Sequence, residues 1–173
     1  FYMVQLASFT AKQTAPVEST WAELREAQTR TLHLQNTGMA VAIDIGEEFD
    51  IHPKNKQDVG KRLAALSLAD TYRKGTYHMP VCTGYKVYDR TLALAFDSPV
   101  QANAGEVKGF VLAGPDGVFY PAKATLQQNG KSVVLESPQV EIPIAARYNW
   151  ADCPNGNLYS PSGVPVGPFR TDK

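Results

Sequence analysis

Asp50 and His52 stand two residues apart in the stretch Phe49-Asp50-Ile51-His52-Pro53-Lys54-Asn55-Lys56-Gln57. An imidazole is the side chain best suited to exchange protons near neutral pH, and a neighbouring carboxylate fixes which of its nitrogens carries the proton. The pair therefore reads as a general base with an orienting acid. The same residues also fit a plainer role, in which Asp50 caps a turn and His52 lies on the surface. Asp44, Glu47 and Glu48 precede the pair and compete with Asp50 for the orienting role. His52 with Asp50 and Glu47 or Glu48 is a poor metal site, because one imidazole with carboxylates is a weak ligand set. Ser8, Ser19, Ser67 and Ser98 lie in no Gly-x-Ser-x-Gly elbow. A serine hydrolase built on His52 must therefore draw its nucleophile from outside these residues.

The pair needs elements to hold it. Phe1 to Leu6 is an apolar run broken only by Gln5, and Met39 to Ile45 is another broken only by Asp44. Both have the pattern of strands covered on two faces. Between them, Ala7 to Val17 reads as a loop, and Thr20-Trp21-Ala22-Glu23 has the spacing of a capping box opening a helix that runs to about Arg30. After Gly46, Val59, Leu63, Leu66 and Ala69 recur at helical spacing from Lys54 to Arg73, with Lys56, Asp58, Lys61 and Arg62 pointing outward. Pro53 suits the first helical position, which places His52 at the helix entry. Strand, helix, strand, helix predicts a βαβ unit with parallel strands. The loops at residues 7–19 and 46–52 then leave the same carboxyl edge, where ligands of open α/β sheets bind. Two strands do not make a stable sheet alone, so this half-sheet calls for a partner.

Beyond Lys74-Gly75 the pattern changes. Val81 to Tyr88, Thr91 to Phe96, Gly109 to Leu112, Val118 to Tyr120, Ala122 to Leu126 and Ser132 to Leu135 are short runs of strand-forming residues. Asp97-Ser98-Pro99, Gly114-Pro115-Asp116-Gly117 and Asn129-Gly130 punctuate them as turns. This spacing predicts an antiparallel β-sandwich over residues 77–173, after an α/β portion over 1–76. Ile144 to Trp150 reads as the last strand, and the Gly- and Pro-rich tail from Ala151 to Lys173 as a surface covering. Trp21 with Arg25, and Tyr148 with Trp150, offer sugar-lining side chains, although packing is the better account of both. His33 and His78 read as polar surface.

Composition closes off several function classes. Lys+Arg and Asp+Glu both number 17, so no net field recruits nucleic acid or an anionic membrane. No apolar run approaches the ~20 residues of a membrane span. The sequence opens on Phe1 with no leader pattern, and a chain starting inside a strand suggests a missing upstream part. Cys82 and Cys153 fit no metal spacing and are read as buried thiols in preference to a bridge.

Four segments carry a family resemblance: Trp21-Ala22-Glu23-Leu24-Arg25-Glu26-Ala27-Gln28, Asn36-Thr37-Gly38-Met39-Ala40-Val41, Asp50 through Gln57, and Pro168-Phe169-Arg170-Thr171-Asp172. In this order they resemble the carboxyl-terminal part of sialate O-acetylesterases, carbohydrate esterases of the SGNH-hydrolase type. The resemblance implies a flavodoxin-like three-layer α/β hydrolase domain, here its carboxyl-terminal portion with a parallel sheet, followed by an antiparallel β-sandwich. It implies acyl transfer by Ser, His and Asp, with His52 and Asp50 as catalytic residues and no cofactor or metal. In the wider SGNH group the acid stands three residues before the histidine; here that position is Phe49, and Asp50 stands two before. The serine block and the Gly and Asn oxyanion donors match nothing in this chain and belong to an upstream half. The implied partners are an O-acetylated sugar and that upstream half, or a second copy paired through the open sheet edge. The implied location is periplasmic or secreted. Deacetylation of acetylxylan or another glycan, and a non-catalytic sugar-binding or structural β-sandwich, are the alternatives.

Overall fold

The structure, a computed structural model, describes residues 1–13 and 15–172. Thr14, inside the expected first loop, and Lys173, at the end of the expected tail, lie outside the described residues. The chain opens with β1 (Tyr2–Val4), α1 (Thr20–Arg30), a 3-10 turn (Thr31–His33), β2 (Gly38–Ala40) and α2 (Lys56–Asp70). β1 and β2 pair in parallel, with Met3 opposite Met39. Met39, Val41 and Ile43 are buried against Met3, Leu32 and Met79, so the apolar run of the second strand is covered as expected, although the strand itself ends at Ala40. β1 departs from expectation: its residues are only half-buried, because β2 is its one neighbour.

Helix ends also depart from expectation, for local hydrogen-bonding reasons. Ser19, and not Thr20, caps α1: its hydroxyl accepts from the Ala22 amide at 3.0 Å. α2 starts at Lys56 with Asn55 as its cap, accepting from the Asp58 amide at 3.1 Å. Pro53 therefore lies ahead of the helix and not at its first position. Arg62, expected to face outward, turns inward to bind Asp44 and the Val41 carbonyl.

Residues 71–81 form neither helix nor strand. The remaining strands are β3 (Cys82–Tyr88), β4 (Thr91–Phe96), β5 (Gln101–Ala102), β6 (Phe110–Ala113), β7 (Phe119–Pro121), β8 (Lys123–Leu126), β9 (Ser132–Glu136), β10 (Ala145–Tyr148), β11 (Leu158–Tyr159) and β12 (Phe169–Arg170). They form two four-stranded sheets, ordered β3-β4-β9-β8 and β12-β10-β6-β7, and a small β11-β5 pair. All pairings after β2 are antiparallel. Alternate residues fill the space between sheets: Leu92, Leu94 and Phe96 from one side, Phe110, Leu112 and Tyr148 from the other.

The tail corrects the sequence reading. β10 is not the last strand, and residues 151–172 do not lie over the surface. Leu158, Val164 and Val166 are buried, and the Phe169 ring packs on Tyr148 with centroids 5.6 Å apart. Two-residue strands cannot be recognised by periodicity, yet pairing with β5 and β10 draws the tail into the core.

Polar contacts join the α/β unit to the sandwich. Arg25 is fully buried and donates to the carbonyls of Leu6, Ala7, Ala151 and Asp152 at 2.7–2.9 Å. Burial pushes its guanidinium down to about 10, partly offset by Asp152. Arg170 grips Glu26 with two bonds of 3.0 and 2.9 Å, and Arg147 binds Asp172 and Glu18 at 2.7 and 2.8 Å. Cys82 and Cys153 are both free thiols.

Candidate active site

The loop from Asp44 to Asn55 leaves β2 and carries Asp50 and His52. Its base is fixed by close backbone packing. A side chain at Gly46 would bring its Cβ within 2.0 Å of the Ser8 carbonyl oxygen, so only glycine fits. The Ser8 hydroxyl donates to the Ile43 carbonyl, pinning the loop after β1 to the end of the β2 run. Asp44 is clamped by both terminal nitrogens of Arg62, at 2.6 and 2.7 Å, and receives the Tyr159 hydroxyl at 3.1 Å. Burial would lower the Arg62 pKa, but its bonds to Asp44 outweigh this and raise it. Burial first, then the Asp44 charge, pushes Tyr159 up to about 12. Asp44 thus sits in a structural ion pair at the root of the loop.

The loop's neck is closed by Glu47, which accepts from the Lys54 amide at 2.9 Å and pairs with the Lys54 ammonium at 3.3 Å. Between these two residues the chain turns back on itself. Asp50 accepts the His52 amide at 2.9 Å, a local turn that brings its Oδ1 to 3.6 Å from His52 Nδ1. That distance exceeds a hydrogen bond, and a small rotation of either side chain closes it. Unliganded acid–imidazole pairs are often this loose. His52 exposes 86% of its side chain, Phe49 is 90% exposed and Ile51 52%. Nothing in the described chain covers the imidazole or the two apolar residues flanking it.

Of the sequence candidates, Asp50 and His52 are brought together and Asp44 is held apart by Arg62. Glu47 and Glu48 serve the loop's shape, Glu48 pairing with Lys12 at 3.5 Å. The serine hydroxyls at positions 8, 19 and 98 donate to Ile43, Asp152 and Asp97. His78 pairs with Asp97 at 3.1 Å, within the sandwich portion. Arg25 and Tyr148 are wholly buried, as packing residues are. Sequence reasoning missed a cavity of ≈ 470 Å³, bordered by Gln13, by residues 15–18 and by Phe119, Arg147, Asn149 and Trp150. No residue of the Asp44–Asn55 loop lines it. Its walls come from distant segments, and only Trp150 drew notice by residue type.

The whole chain matches a solved enzyme. It is similar to a novel carbohydrate acetylesterase from Xanthomonas citri, with a TM-score of 0.91 and 42% sequence identity. The match covers 100% of this chain and 41% of that one, so this chain spans well under half the length of the Xanthomonas acetylesterase. No family model matches the sequence, and no curated protein does.

Proposed function

We propose that this chain is the histidine-bearing portion of a carbohydrate acetylesterase, with His52 as general base and Asp50 as its orienting acid. The observation that carries the reading is the exposed His52–Asp50 loop, flanked by Phe49 and Ile51, at the carboxyl end of a parallel strand pair. Full-length likeness to part of an acetylesterase supports it. An imidazole open to water on all sides is a poor catalytic base, whereas one capped by an apolar-rimmed partner surface and paired with a serine is a good one. The serine belongs to a further portion of polypeptide seated on Phe49, Ile51 and the open edges of β1 and β2. An enzyme acting on glycans of this kind works in the periplasm or outside the cell.

The reaction is acyl transfer. Serine Oγ attacks the acetyl carbonyl carbon while His52 Nε2 takes its proton, and Nδ1–H turns to Asp50. Collapse of the tetrahedral intermediate breaks the ester C–O bond, and His52 returns the proton to the departing sugar oxygen. Water, deprotonated by His52, then attacks the acyl carbon, and the C–Oγ bond breaks as His52 returns that proton to the serine, releasing acetate.

The sugar implied by the sequence resemblance is an O-acetylated sialic acid. A second reading, acetylxylan or another neutral glycan, draws on charge: Arg62, Arg147 and Arg170 are each already bound to carboxylates, leaving none of them free for a sialate carboxyl. Acetate release should be followed for the chain combined with its serine-bearing portion, on an O-acetylated sialoside and on acetylated xylan. Release from either sugar is expected to depend on both portions. Failure on both, despite a stable complex, would overturn the esterase reading in favour of a sugar-binding sandwich.

A further inference from the structure

We propose that the cavity between residues 15–18 and Trp150 is a saccharide subsite for a neutral sugar unit of the same glycan whose acetyl group reaches His52. The identity of the ligand rests on the esterase reading above, while the geometry of the cavity stands by itself.

The first argument is continuity. The loop after β1 touches the His52 loop twice, through Ser8 packed on Gly46 and through Lys12, whose ammonium meets Glu48 at 3.5 Å. One residue after Lys12 the same loop becomes a wall of the cavity, from Gln13 and Ala15 to Glu18. A single loop thus borders both places, and a chain of sugars lying along it would meet them in turn.

The second argument is the chemistry of the walls. Pro16, Val118 and Phe119 give apolar surface, Val118 being 47% exposed at the rim, and Asn155 gives an exposed amide. Sugar rings present apolar C–H faces and a hydroxyl rim, and they need both kinds of surface. Trp150 lines the same cavity, and its indole Nε1 has no hydrogen-bond partner among the described residues. That nitrogen is itself fully buried, so the indole reports a ligand in the cavity through the changed surroundings of its ring and not through a bond to it.

Charge selects the ligand further. Arg147, in the cavity wall, is neutralised twice over, by Asp172 at 2.7 Å and Glu18 at 2.8 Å, and its guanidinium also stacks 4.0 Å from the Phe119 ring centre. It is therefore a wall and not an anion receptor, and the exposed Lys108, also in the wall, balances the one carboxylate in excess, so that the cavity carries no net charge. That favours a neutral sugar over an acidic one.

The wall is also held in uncommon backbone. Asn149 has φ 52° and Gly109 φ 92°, and a Cβ on Gly156 would lie 2.1 Å from Asn149 Oδ1. Close packing thus holds this part of the wall in one conformation.

The test uses the 15N-labelled chain, which has two tryptophans and hence two indole N–H resonances, Trp21 and Trp150. A panel of neutral xylo-, gluco- and galacto-oligosaccharides is titrated in, with free sialic acid as control. The Trp150 indole should shift saturably with at least one neutral member, the Trp21 indole should not, and sialic acid should leave both in place. Val118→Asp, at the exposed rim, should weaken binding at least tenfold with an unchanged melting temperature; Phe119→Ala should do the same, with its fold checked by the Trp21 resonance. No Trp150 shift with any neutral member, an equal shift with sialic acid, or undiminished affinity in both variants would overturn the subsite. The two readings fail separately. If binding is absent while His52→Ala abolishes acetate release, the subsite falls alone; if binding persists and acetate release ignores His52, the esterase reading falls alone.

Discussion

The β-sandwich and the two-stranded α/β unit are built on opposite economies of interaction. The sandwich closes on itself: Leu92, Leu94, Leu112, Val133 and Leu135 are fully buried between its sheets, and even its turn-rich tail returns to the core. The α/β unit buries few large apolar side chains, Met39, Val41, Ile43 and Leu66, and it is tied down through arginines. Its strand pair has two open edges and its functional loop shows Phe49, Ile51 and His52 to solvent. The difference teaches where the molecule is finished. The sandwich is a completed scaffold, and the α/β unit is a two-stranded sheet docked on it by polar clamps, with the surface that the proposed partner portion would cover left open.

That contrast can be broken deliberately. Arg25→Ala strips the donors from four buried carbonyls and should cost about 4 kcal/mol, with the α/β unit losing hydrogen-exchange protection before the sandwich does. Uniform loss across both regions would show that the two are one cooperative unit. Leu94→Ala opens a cavity between the sheets and should cost about 3 kcal/mol in urea unfolding, this time with the sandwich strands losing protection together. Ser19→Ala removes the α1 cap and its bond to Asp152, and should cost about 1 kcal/mol, felt at α1 and little in β4 or β9.

Acid sharpens the same contrast. Burial alone would raise the Asp172 pKa, but its bonds to Arg147 outweigh that and hold it below the ordinary carboxylate value. A carboxylate depressed in the folded state contributes stability above its unfolded pKa of about 3.9 and loses that contribution as pH falls through the folded value. Below about pH 4 the Glu18–Arg147–Asp172 junction should therefore loosen while the apolar sandwich core persists. Exchange rates at β10 and α1, measured from pH 6 down to pH 3, check this; equal behaviour of β4 and α1 would contradict it.

Much of the sandwich was legible in the sequence, because β3, β4 and β6 to β10 carry strand-forming runs between strong turn signals, and the structure places strands on each of them. β5, β11 and β12 were not legible: two residues have no period, and their partners lie far away along the chain. Helical spacing puts Arg62 on the outward face and cannot show the Asp44 carboxylate 18 residues earlier that turns it inward. Asp50 and His52 stood out by residue type and spacing. Their exposure did not, since it depends on what the loop lacks around it. The cavity was invisible for a related reason: Gln13, Phe119 and Trp150 share a wall only after the sandwich and the loop have docked.

The central claim is that His52 does chemistry and no structural work. Acetate release by the chain with its serine-bearing portion, wild type against His52→Ala, tests it most directly, with melting temperature measured beside it. At 86% exposure the imidazole should be removable with stability changed by no more than about 0.5 kcal/mol, while kcat falls by a factor on the order of 10³ or more. Acetate release within a few-fold of wild type, with the fold intact, would show that the proton is handled elsewhere and would contradict the account.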